Sequence, residues 1–148
     1  KETIDQTLCS LLKHDVLIDK NIKVFHGDGS ILKMLKLIKG LVEKNKYDVV
    51  HIHSGLTGII FILAVFPFRL GLLKKTVFTL HNSWNVLKPR NQFLNFIVML
   101  ASRKVCTCGV SSRDSIPKII NYKRSLVITG SNYLIGHLLS KYVQLKKF

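Results

Sequence analysis

Acidic residues are scarce: 8 Asp and Glu stand against 23 Lys and Arg, for a formal net charge of +15. A hydrolase built on paired carboxylates needs two acids at one site. Only Asp28 and Asp114 fall near the ends of predicted strands, which argues against that class. Cysteine is sparse as well. Cys9, Cys106 and Cys108 are an odd set, which argues against a secreted disulfide scaffold and for a reducing cytosol. Cys106 and Cys108 lack the spacing of a redox pair and read as small buried apolar residues sharing one strand face. No apolar run approaches the roughly 20 residues that span a bilayer. The most apolar stretch, Leu56 to Leu73, has an unbroken core of only Ile59 to Phe66 before Pro67, Arg69 and Gly71 interrupt it. It reads as a buried helix, and peripheral membrane contact stays open. The opening residues do not read as a signal peptide. Gly-x-Gly-x-x-Gly, the P-loop and the Gly-x-Ser-x-Gly elbow are all absent, which removes dinucleotide, P-loop nucleotide and serine-elbow readings.

What is present is a chain of 148 residues, 47% apolar. That suffices for one globular domain with a core, and residues 1–148 read as one domain without linker or repeat. The basic balance suits an anionic partner. Lysine outnumbers arginine, so a lysine-rich composition bias accounts for it equally well. Apolar periodicity alternates between two and about 3.6 residues along the chain. Strands are expected near Ile22–Phe25, Val49–His53, Thr76–Leu80, Val105–Val110 and Ser125–Thr129. Helices are expected from Ser30, over Leu56–Phe66 and Asn91–Arg103, briefly from Ser111, and over Leu134–Val143. Ser30 is placed to cap the first of these, in which Ile31, Met34, Leu35, Ile38, Leu41 and Val42 form a stripe. Phe93, Phe96, Ile97 and Leu100 are the expected inner face of the third. Ser111 and Asp114 stand in capping-box spacing. Such alternation implies βαβ units and a parallel α/β sheet of about five strands with helices on both faces.

In an open parallel sheet, ligands bind at the carboxyl ends of the strands. Three consecutive expected strands end in polar groups: His51-Ile52-His53-Ser54, then His81-Asn82, then Ser111-Ser112. The serines also suit helix caps, whereas capping does not call for histidine. His81 is therefore the first candidate for a catalytic residue, and His53, Ser54, Asn82 and Ser111 are candidates for substrate binding. His51 and His53 are two apart and share a strand face. His53 lies nearer the edge, while His51 is the one to pack inside. A His-x-His strand end also occurs in metal-dependent hydrolases, which need further ligands. Here only His81 is offered, so no metal site is assigned.

Tyr47-Asp-Val-Val-His-Ile-His-Ser54, an apolar helix, and Leu72-Leu-Lys-Lys-Thr-Val-Phe-Thr-Leu-His81 follow one another in order, with Gly109-Val110-Ser111 downstream. Over roughly residues 22 to 130 this order resembles the N-terminal domain of glycosyltransferase family 4. The resemblance implies one half of a GT-B fold: a Rossmann-like acceptor-side domain that faces a C-terminal donor domain. It implies retaining transfer without a metal from a nucleotide sugar to a cell-surface glycan or lipid-linked acceptor. His81 and Ser111 would then face the cleft. The family's first strand and glycine-rich loop have no counterpart here. The family's Pro-Asn-Gly stretch is replaced by Thr129-Gly130-Ser131-Asn132, and no donor domain follows. The expectation is an acceptor-binding half, inactive alone, that holds no cofactor itself and works in the cytoplasm or at the inner membrane face. The alternatives are a metal-dependent hydrolase using the His-x-His strand end and a basic nucleic-acid-binding domain. The latter lacks interleaved basic and aromatic residues on a strand face, so no nucleic-acid partner is expected.

Overall fold

The protein was analysed as a computed structural model that describes residues 5–13, 22–120 and 125–127. The helix expected over 134–143 lies outside the described residues. The chain is α/β, and among the described residues every strand pair is parallel. Strand β1 (Thr7–Ser10) pairs with β2 (Lys23–His26) in a two-stranded sheet. Strands β3 (Val50–Ile52), β4 (Thr76–Leu80), β5 (Lys104–Thr107) and β6 (Ser125–Val127) form a second sheet in sequence order. The expected single sheet of about five strands is thus replaced by one of two strands and one of four. The unforeseen strand is β1. Its Thr-Leu-Cys-Ser is too short to show a period, and it pairs only because β2 lies beside it.

Helix α1 (Ile31–Lys44) begins where expected. Ser30 Oγ accepts the Lys33 N–H, closing the first turn, and Met34, Ile38 and Val42 fall on the buried face. The turn before it runs through Asp28 (φ 50°) and Gly29 (φ 77°), left-handed backbone in which glycine is unstrained. Asp28 is ion-paired with Lys33. Helix α2 (Gly55–Val65) is apolar on nearly every side and lies between α1 and helix α3 (Pro89–Ala101). It is not buried all round, for Leu63 is exposed. Pro89 occupies the first turn of α3, where its missing N–H costs nothing. The buried face of α3 is Asn95, Val98 and Met99, while Phe93 and Leu100, expected inside, are exposed. Apolar residues encircle this helix, so periodicity alone could not fix its phase. Close packing against α2 fixed it. A Cβ on Gly58 would stand 2.5 Å from Val98 Cγ2, and one on Gly55 would stand 2.9 Å from the Asn95 backbone nitrogen. These two glycines bring the helices together.

Helix α4 (Val110–Asp114) is one short turn. The expected capping box is not formed: Gly109 takes the N-cap position, and Asp114 pairs with Arg113. Ile52, Phe78 and Val105 lie in one row across β3, β4 and β5 and join Ile60, Phe61, Val65 and Val98 in the core. Strand alternation sends His51, Thr79 and Cys106 to the opposite face. A buried side chain of the core's size contributes roughly 1.5–3 kcal/mol.

Candidate functional site

The register Ile52↔Phe78 and Leu80↔Thr107 brings the carboxyl ends of β3, β4 and β5 to one edge. The next residues along the chain are His53, His81 and Cys108, all on the face that already carries His51 and Thr79. They form a continuous polar seam. His51 Nε2 and Thr79 Oγ1 are 2.7 Å apart, His53 Nδ1 and His81 Nε2 are 3.0 Å apart, and His81 Nδ1 and Cys108 Sγ are 3.3 Å apart. The His51 and His53 rings lie with centroids 4.0 Å apart, and those of His53 and His81 stack at 5.3 Å.

Both ring nitrogens of His81 are therefore engaged. When the proton is on Nε2, His81 donates to His53 Nδ1 and its own Nδ1 accepts the Cys108 S–H. When His81 is doubly protonated, both partners must accept, and the thiol serves best as thiolate. The neighbouring imidazoles resist charge. Burial, then the nearby His53 and His81, hold His51 down at about 4. His53 is lowered in the same sense, first by desolvation and then by His81. The residue's rim is exposed, but its ring is sandwiched between two others. Neutral His51 and His53 thus give His81 an uncharged, acceptor-capable neighbourhood at pH 7.

Beside this seam opens a cleft of about 290 Å³, at the small end of ligand pockets. His53, Ser54 and Gly55 line it from the β3–α2 turn, His81 and Asn82 from the end of β4, and Asn91 and Asn95 from α3, over an apolar floor that includes Phe78 and Leu94. No carboxylate lines it. Four of the five candidate residues, His53, Ser54, His81 and Asn82, meet here. Ser111 does not: its hydroxyl is 3.2 Å from that of Ser83, away from the cleft lining. Ser54 also caps α2, accepting the Thr57 N–H at 3.3 Å. His51 packs inside the seam, as its position in the strand suggested.

Sequence reasoning missed Asn91, Asn95 and Cys108. The two asparagines were legible in principle, because a spacing of four puts them on one helix face, and Asn95 is a polar residue amid apolar ones. Cys108 was read as apolar because nothing in the sequence sets His81 beside it. Among the described residues, no group of three or more His, Cys, Asp or Glu side chains is arranged to hold a metal ion. Of the three histidines of the hydrolase alternative, His51 bonds to Thr79, and His53 bonds to His81, which also bonds to Cys108. Also among the described residues, no helix is long and apolar enough to cross a membrane. Compared with known proteins, the chain matches no family model and no curated relative.

Proposed function

We propose that this chain is the acceptor-binding half of a retaining glycosyltransferase of the family 4 type, with a glycan or lipid-linked sugar as acceptor. The observation that carries the reading is the cleft itself. Asn82, Asn91 and Asn95 amides and His53 and His81 imidazoles converge at the carboxyl ends of parallel strands, and no carboxylate joins them. Sugar hydroxyls are both donors and acceptors, and amides and imidazoles can match both roles without the desolvation cost of a carboxylate. The apolar floor suits the C–H face of a sugar ring.

In this reading the fold is the Rossmann-like acceptor side of a GT-B enzyme. His81 is the catalytic residue, giving a hydrogen bond to donor sugar or acceptor hydroxyl in exchange for one of its present partners. His53, Ser54 and Asn82 hold the acceptor. Ser111, outside the cleft, keeps the cleft-facing role that the resemblance implies only by reaching toward a donor domain. The nucleotide sugar is bound by that separate C-terminal domain, whose basic groups stabilise the leaving phosphates. The enzyme works in the cytoplasm, in peripheral contact with the inner membrane face.

Saturation-transfer NMR with a panel of hexoses and short oligosaccharides tests the reading. Sugar signals are expected with the unaltered chain and are expected to weaken in Asn91→Ala and Asn82→Ala, both exposed and tolerant positions. No nucleotide-sugar turnover is expected from the chain alone. Turnover by these 148 residues, or sugar signals indifferent to both substitutions, defeats the proposal.

A further inference from the structure

The parallel register that gathers the strand ends at one edge gathers the strand starts at the other. Val50 stands beside Thr76, and Val77 beside Lys104. The residues that enter this second edge are basic. Lys44 and Lys46 precede β3, Lys74 and Lys75 precede β4, and Arg103 leads into Lys104 at the start of β5. Arg69 lies in the segment that joins α2 to β4. All seven are exposed, against two exposed acids here, Glu43 and Asp48. Among the described residues none of the seven is in an ion pair. Their side chains knit the edge into one rim: Arg69 Nη2 donates to the Glu43 carbonyl at 3.3 Å, Lys75 Nζ to the Tyr47 carbonyl at 2.9 Å, and Arg103 Nη1 to the Lys74 carbonyl at 3.5 Å.

Out of the same rim stand two aromatic rings. Phe66 is 62% and Phe68 84% exposed, and Leu70 beside them is also exposed. Helix α2 starts at the cleft edge, at Gly55, and ends at Val65, so its far end delivers Phe66 and Phe68 to the basic edge. Both rings face water amid cations that, among the described residues, have no ionic partner.

We infer that this edge is a docking surface for an anionic phospholipid bilayer, with Phe66 and Phe68 entering the interfacial layer and the surrounding lysines and arginines meeting lipid phosphates. Charge complementarity selects the occupant. Each cation near such a surface gains from its negative potential, and an apolar group seated below a ring of cations is the pattern of interfacial anchors. A nucleic-acid backbone would satisfy the cations but would leave the contiguous Phe66-Pro67-Phe68 run without an apolar phase. Docked this way, the cleft at the opposite edge opens away from the lipid, into solvent. The inference assigns the peripheral membrane contact of the proposed function to this edge and is argued from the edge's own residues; failure of vesicle binding removes that membrane contact and leaves the sugar-binding cleft to its own test.

Co-sedimentation of the full 148-residue chain with vesicles is the test. The two vesicle types are phosphatidylcholine alone and phosphatidylcholine with about one-third phosphatidylglycerol, at physiological salt. The expected result is partitioning onto the anionic vesicles about tenfold or more above the neutral ones. Phe66→Ser with Phe68→Ser, and separately Lys74→Glu with Lys75→Glu, should each remove most of it, with circular dichroism unchanged. Phe68→Trp supplies a measurement independent of these losses: its emission should shift to the blue when anionic vesicles are added. Equal partitioning on both vesicle types, binding indifferent to the phenylalanine pair, an unshifted tryptophan, or tight binding of a single-stranded oligonucleotide in place of vesicles overturns the inference.

Discussion

The two edges of the four-stranded sheet are built on opposite principles. At the carboxyl edge, polar groups are spent on one another. His51, His53, His81, Thr79 and Cys108 are linked in a seam, and the helices behind them touch through glycines at van der Waals limits. At the amino edge, charges are left without ionic partners, rings face water, and the glycine there, Gly71, has nothing within 4 Å of the place a Cβ would occupy. The first edge is determined by internal geometry, the second by what approaches from outside. The contrast shows that one run of βαβ units can hold a preorganised cleft and an open contact surface because parallel strands segregate their starts from their ends.

The sharpest way to break this contrast is to add one methyl group at each edge. Gly58→Ala should drive a Cβ into both Val98 methyls and cost about 2–3 kcal/mol in thermal or denaturant unfolding. Gly71→Ala should stay within roughly 0.5 kcal/mol. Equal costs would erase the distinction. A smaller loss is expected at a well-buried polar staple of the amino edge. Thr76 Oγ1 donates to the Leu73 carbonyl and lies 3.4 Å from the Arg103 amide, so Thr76→Val should cost about 1–2 kcal/mol in the same assay.

Acidification separates the edges next. His51 titrates at about 4 in the fold against 6.5 as a free group. Because its folded value is depressed, the unfolded chain takes up the proton first. Stability is therefore complete above pH 6.5, falls as pH drops toward 4, and levels off below that. Allowing for partial solvent screening, the loss is about 1–2 kcal/mol, and His51→Gln should remove it from a pH series of unfolding curves. None of the seven cations of the amino edge is a histidine, so the His51 slope belongs to the carboxyl edge.

The mildest probe is thiol chemistry. Burial pushes Cys9 up to about 11, and burial together with neighbouring Cys108 raises Cys106. Of the three thiols, Cys108 is the one with an imidazole in hydrogen-bond reach. Iodoacetamide near neutral pH should label Cys108 about tenfold faster than the other two by peptide mapping. His81→Gln should reduce the preference without abolishing it, because Cys9 and Cys106 stay raised by burial. Uniform labelling would show that the His81–Cys108 contact has no chemical consequence.

Local elements were legible where short-range physics is sufficient. The Thr76–Leu80 strand was expected over those residues and is found there, because a run in which four of five residues are β-branched or aromatic needs only a pleated neighbour. The Ser30 cap of α1 and its Met34, Ile38, Val42 stripe are properties of one turn and one helix. The phase of α3 was not legible, because its deciding contact is with Gly55 and Gly58 some 40 residues earlier, a separation on the order of one βαβ unit or more. The capping box at Ser111 failed for a related reason: Ser111 bonds to Ser83 and leaves the cap position to Gly109.

The sequence by itself determined the alternation of strands and helices, and with it the polar character of the strand ends, since both depend on residues two to four apart. Only the tertiary structure decided which of those ends meet. His51 with Thr79, His53 with His81, Tyr47 with Lys75 and Ser83 with Ser111 are each 28 residues apart. That one separation is the length of a strand, its crossover and the return to register, so a shift of one residue in pairing would turn every one of these side chains to the other face and dissolve both edges together.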